Sequence, residues 1–133
     1  MELQIRIIGG LFILLAILHA FFPKYFNWKM EFSSLSLMNR QMIHAHIFFI
    51  GFGLFLLGLL CITSSNALIH TEFGRRISLG LGVFWAVRLY FQFFVYSSML
   101  WKGKAFETRV HIIMSLFWAY ASAVFFLAYF NYI

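Results

Sequence analysis

Residues 42–60 read MIHAHIFFIGFGLFLLGLL. The run is apolar except for His44 and His46 near its start. At about 20 residues per crossing, it is long enough to span a bilayer as a helix. Gly51 and Gly58 follow His44 at heptad spacing, so the three share one helix face. Small residues let a second helix come close in lipid. That face predicts a helix–helix seam, with His44 turned toward a neighbour rather than toward acyl chains. His46 points about 200° away on a regular helix, toward headgroups or a different neighbour.

Outward from this run, residues 4–22, 77–100 and 110–130 also have spanning length. Together with 41–62 they predict an all-α fold, an integral membrane four-helix bundle in a single domain. Helices are required because lipid offers no partner to open backbone groups. Composition agrees, since the chain is 63% hydrophobic and 11% charged, against about a quarter charged in soluble domains. A water-soluble class is therefore excluded. The net charge of +6 does not point to nucleic acid, because the basic residues stand in small groups beside apolar runs rather than in one patch. Lipid is the partner they fit. The sole cysteine, Cys61, lies inside an apolar run and reads as a small buried hydrophobe.

The connections carry their own signals. Residues 4–22 lack a small-x-small cleavage pattern before Pro23, so they read as a retained first helix that Pro23 closes. In residues 23–40, Tyr25, Phe26, Trp28 and Phe32 alternate with Lys24, Lys29 and Glu31, which suits the headgroup zone. Ser33, Ser34 and Ser36 are candidate N-caps for the second span. Trp28, Trp101 and Tyr132 read as interfacial anchors. Phe91, Phe93, Phe94, Phe125 and Phe126 read as lipid-facing bulk. Lys24, Lys29, Arg40, Lys102, Lys104 and Arg109 flank the 1–2 and 3–4 loops, against Arg6, Arg75 and Arg76 on the other side. The positive-inside rule then puts those loops in the cytoplasm and both termini opposite.

With alternating helix direction, His19, His44, His46 and His111 fall in one leaflet, each about a turn inside the boundary. Polar stripes converge there: Arg40 with His44, then Arg88 with Gln92 and Tyr96, then Glu107 with His111, Ser115 and Ser122. Arg88 is the costliest residue, since a charge at mid-span costs about 2.5–3.5 kcal/mol on insertion scales. Imidazoles from facing helices at one depth are what haem b or a transition metal needs. The first expectation is therefore a redox-linked haem or metal protein. His44 and His111 are the first ligands, His19 the third and His46 a reserve. Arg88, Gln92 and Arg40 would serve cofactor binding.

Two other classes compete. One is a small enzyme acting on a lipid- or quinone-like amphiphile, with Glu107 as its acid–base group. No nucleophile–base motif supports it, and the HxH at 44–46 is a fragment of the ligand sets of membrane iron oxidases. The other is an accessory subunit, in a homodimer or a larger membrane complex, whose histidines are satisfied by carbonyls, water and headgroups.

Overall fold

The computed structural model describes residues 1–96, 98–100 and 102–130, the Ser98 side chain excepted. Trp101 and Tyr132, expected as anchors, lie outside the described residues. The fold is all-α, and no β-strand occurs among the described residues. The helices are α1 (Glu2–His19), α2 (Phe22–Tyr25), α3 (Trp28–Glu31), α4 (Leu37–Thr63), α5 (Ser65–His70), α6 (Glu72–Tyr90) and α7 (Ala105–Phe130). A π-helical turn, Phe91–Val95, extends α6, and Ser98–Leu100 forms a 3-10 turn. Four segments are long and apolar enough to cross a membrane: α1, α4, α6 with its π turn, and α7. Their surfaces are the reverse of a soluble protein's, with Phe48, Phe49, Ile113 and Leu116 each more than 60% exposed. Lipid is the solvent that such faces fit.

Local chemistry sets the helix ends, and several differ from the sequence expectation. The first span stops at His19 rather than residue 22. Pro23 has no N–H to return to the carbonyl of His19. The chain instead tightens through Ala20 N to Ile17 O and Phe21 N to Leu18 O, both 3.0 Å. The interfacial segment folds as α2 and α3, with Asn27 at φ 55° between them. Of the three candidate caps, Ser36 is the one used, its Oγ accepting from Asn39 N at 3.2 Å. α4 therefore begins at Leu37, ahead of the expected 41. The third span starts at Glu72 rather than 77, because Thr71 caps it by accepting from Gly74 N at 2.9 Å. The fourth starts at Ala105 rather than 110.

The chain forms two compact units, Ile5–Ser65 and Met1–Gln4 with Asn66–Ile133. In the first unit α1 and α4 meet through glycine. A Cβ on Gly9 would stand 2.7 Å from Gly58 O, and one on Gly58 would stand 2.6 Å from Ile13 Cγ1. Neither position has room for a side chain. Cys61 is fully buried beside Gly9, as its setting in the sequence suggested. Just beyond the end of α4, Arg6 Nε donates to Ser65 Oγ at 3.1 Å and ties α1 to the first residue of α5.

In the second unit, α6 and α7 pack side by side. Ser78 Oγ donates to Leu68 O at 3.1 Å and ties α6 to α5. Ser122 Oγ donates to Gly82 O at 2.9 Å and ties α7 to α6. At the other end of the α7 axis, Arg75 donates through Nε and Nη2 to Tyr129 O at 3.1 and 2.9 Å. A cation on a C-terminal carbonyl answers the helix dipole. Trp85 and Trp118 stack at 4.6 Å with planes 6° apart. Phe91, Phe93 and Phe94 are exposed, as lipid-facing residues should be. Phe125 corrects the same expectation: it is fully buried, on the α7 face that also buries Ser122 and Ala128. Phe126 lies against Gly82.

Candidate functional site

Within the first unit, α1 and α4 frame an apolar pocket of about 350 Å³, open on one side. His19, His44, Trp28, Gly51, Phe52 and Phe55 are among its walls. The two imidazoles are the polar side chains of an otherwise greasy lining, a pattern typical of small-molecule sites. His19 reaches it because position 51 is glycine, where an added Cβ would meet His19 Cβ at 3.2 Å. His19 Nδ1 lies 2.8 Å from Leu15 O. A carbonyl can only accept, so Nδ1 donates, and in the neutral ring Nε2 keeps its lone pair. His44 stands edge-on to Trp28 and Phe32, at 6.1 and 5.9 Å between ring centroids. Neither ring nitrogen of His44 has a hydrogen bond among the described residues. His44 and His46 are both exposed, but of the two only His44 lines the pocket. One turn before His44, Arg40 Nε is buried with no hydrogen-bond partner among the described residues.

The second unit holds a different constellation, built on the end of α6. Arg88 Nη1 donates to Gln92 Oε1 at 3.2 Å. A guanidinium has no acceptor, so the Gln92 amide must turn its oxygen to Arg88 and its nitrogen away. That nitrogen lies 3.0 Å from His111 Nδ1 and donates to it. It also approaches His111 O at 3.4 Å, a carbonyl that accepts from Ser115 Oγ at 2.7 Å. With Nδ1 accepting, a neutral His111 carries its proton on Nε2. Gln92 lies in the π turn that continues α6, and Tyr96 follows that turn with extended backbone. The Arg88 guanidinium sits 5.2 Å from both the Tyr96 and the Trp118 ring centroids.

The structure thus places His19 and His44 in the wall of one pocket, and joins Arg88, Gln92 and His111 in one network. Glu107 is exposed in the first turn of α7, where a carboxylate suits the helix dipole. Among the described residues, no group of three or more His, Cys, Asp or Glu side chains stands as a metal ion would require. Trp118 was not singled out for the Arg88 site from the sequence. Its signal is its place after His111 and Ser115, at helical spacing on the buried face of α7. No protein-family model, curated protein or solved structure matches the chain.

Proposed function

We propose that this protein binds haem in the α1–α4 pocket, with His19 and His44 as the axial ligands, and works in membrane electron transfer. The carrying observation is that two imidazoles from different helices line one apolar pocket, one of them held through Nδ1 by a backbone carbonyl so that Nε2 is left for a ligand. Anchoring the far nitrogen of a ligating histidine fixes its tautomer and direction. Haem needs only one or two ligands from the chain, since its macrocycle supplies four nitrogens. That favours haem over a bare metal ion, which would need a larger donor group. The orphaned Arg40 Nε, a turn from His44, would gain an acceptor in a haem carboxylate. His111 was the expected partner of His44, but its Nδ1 is engaged by Gln92, which in the neutral ring leaves the proton on Nε2. The pair that geometry favours is therefore His19 with His44. The apolar lining would exclude water and raise the dielectric cost of charging the centre, which tunes its potential.

The basic residues around the 1–2 and 3–4 loops favour a cytoplasmic face for them. The site would then lie near that face, since His19 and His44 border the 1–2 loop. The test is the absorption spectrum of the protein purified from haem-sufficient cells. A Soret band is expected, lost in His19→Ala and in His44→Ala and kept in His46→Ala. A colourless wild-type protein with no extractable haem would end this reading.

A further inference from the structure

Arg88 has an unanswered charge. Among the described residues no carboxylate lies within ion-pairing distance of it; the acidic groups at Glu2 and Glu72 face His70 and Arg76 instead. Its partners are Gln92, Tyr96 and Trp118, all neutral. Arginine does not shed its proton in a protein, so the charge persists at this depth. Arg88 stands seven residues before Val95, about 10 Å inside the end of the span. The two aromatic rings hold the guanidinium against free snorkelling toward water. Yet its other nitrogens are not sealed in, since only part of the side chain is buried and none of them is a covered, unpartnered atom. Val87 and Phe91, beside Arg88 on the same helix, are 52% and 42% exposed and offer an apolar surface next to it.

A fork of N–H donors matches a carboxylate or phosphate. At this depth an oxyanion must arrive with an apolar tail. We propose that the α6–α7 pair binds the anionic headgroup of a membrane amphiphile, carboxylate or phosphate, on Arg88. The proposal concerns the second unit and does not rest on the haem reading.

Native mass spectrometry of the purified chain in detergent tests it, with oleate, phosphatidylglycerol, phosphatidylcholine and inorganic phosphate as separate probes. Oleate or phosphatidylglycerol should be retained over phosphatidylcholine, and the stronger of the two names the headgroup. Arg88→Gln should weaken that retention about tenfold or more, the loss of a hydrogen bond to a charged group. Arg88→Lys keeps the charge but not the fork, and should weaken it too; it decides the matter if Arg88→Gln does not fold. Equal retention of phosphatidylglycerol, oleate and phosphatidylcholine would overturn the proposal, as would retention unchanged in both variants. Inorganic phosphate displacing neither amphiphile supports it; inorganic phosphate bound as tightly as the amphiphiles means a free-anion site and overturns it.

Discussion

Where α1 meets α4, the backbone of each helix comes close to the other at Gly9 and Gly58, leaving no room for a Cβ on either side. Where α6 meets α7, the contact is made by side chains with polar ends: Arg88 to Gln92 to His111, Ser122 to a carbonyl, and Trp85 on Trp118. Lipid removes the hydrophobic drive between helices, so each pair must rely on something else. The first relies on close van der Waals approach and is sensitive to volume. The second relies on directed hydrogen bonds and is sensitive to chemistry. The two pairs should therefore break differently.

The largest effect belongs to the glycine seam. Gly58→Leu would drive its Cβ to 2.6 Å from Ile13 Cγ1 and 2.7 Å from Gly9 O. A backbone oxygen has nowhere to move, so the cost should reach about 3 kcal/mol, the upper end for overpacking. A Cβ at Gly53, on the same helix, meets nothing within 4 Å, and Gly53→Leu should cost far less. Unfolding by sodium dodecyl sulfate in mixed micelles measures both. Equal losses would show that volume at the seam is not what holds this pair.

The polar pair should fail at constant volume. Gln92→Leu keeps the size but removes the bridge between Arg88 and His111. Gln92 is 5% exposed, so both former partners are left facing an apolar group. A buried group without its partner costs about 1–3 kcal/mol. The same unfolding titration should register that loss, while the His19–His44 pocket keeps whatever it binds. A neutral result would mean that the network is ornamental to stability.

The two regions also differed in how far the sequence disclosed them. The seam was readable because heptad-spaced His44, Gly51 and Gly58 mark a face by what is missing. The Arg88, Gln92 and His111 stripes were readable from spacings of four. The partner across each stripe was not, since rotation of one helix against another leaves no trace in a single periodicity. Hence the bond between Gln92 and His111 could not be named from the two stripes alone. The early start of α6 was hidden because Thr71 caps onto a glycine, Gly74, and its six preceding residues look like loop. The π turn was hidden too, since no residue type forces it. Gly74, Ser78 and Gly82, spaced by four, were a small-residue seam in plain view on the third span.

A smaller effect tests whether the rings around Arg88 matter. Trp118→Phe keeps an aromatic core but reduces both the stack on Trp85 and the contact with the cation. About 1 kcal/mol is expected, the scale of a cation–π contact. A double-mutant cycle with Arg88→Met isolates the pairwise part. Strict additivity would show that Arg88 merely lies near the ring.

The smallest effects grade the seam against ordinary helix surface, using glycines that differ only in what surrounds them. Gly9 and Gly10 are neighbours on α1, yet a Cβ at Gly9 meets Gly58 O at 2.7 Å and one at Gly10 meets nothing within 4 Å. On α6, Gly80 is equally open, while a Cβ at Gly82 would meet the Phe126 ring at 3.0 Å. Alanine at Gly10 or Gly80 should stabilise by about 0.5–1 kcal/mol, because glycine is the poorer helix former. Alanine at Gly82 should lose part of that gain, since a ring can tilt by a few tenths of an ångström. Alanine at Gly9 should destabilise outright, since a carbonyl within a helix cannot. The order Gly10 and Gly80, then Gly82, then Gly9 follows from the stiffness of what each new methyl meets. If Gly82→Ala proved as costly as Gly9→Ala, the polar pair would be as intolerant of volume as the glycine pair, and the distinction between them would collapse.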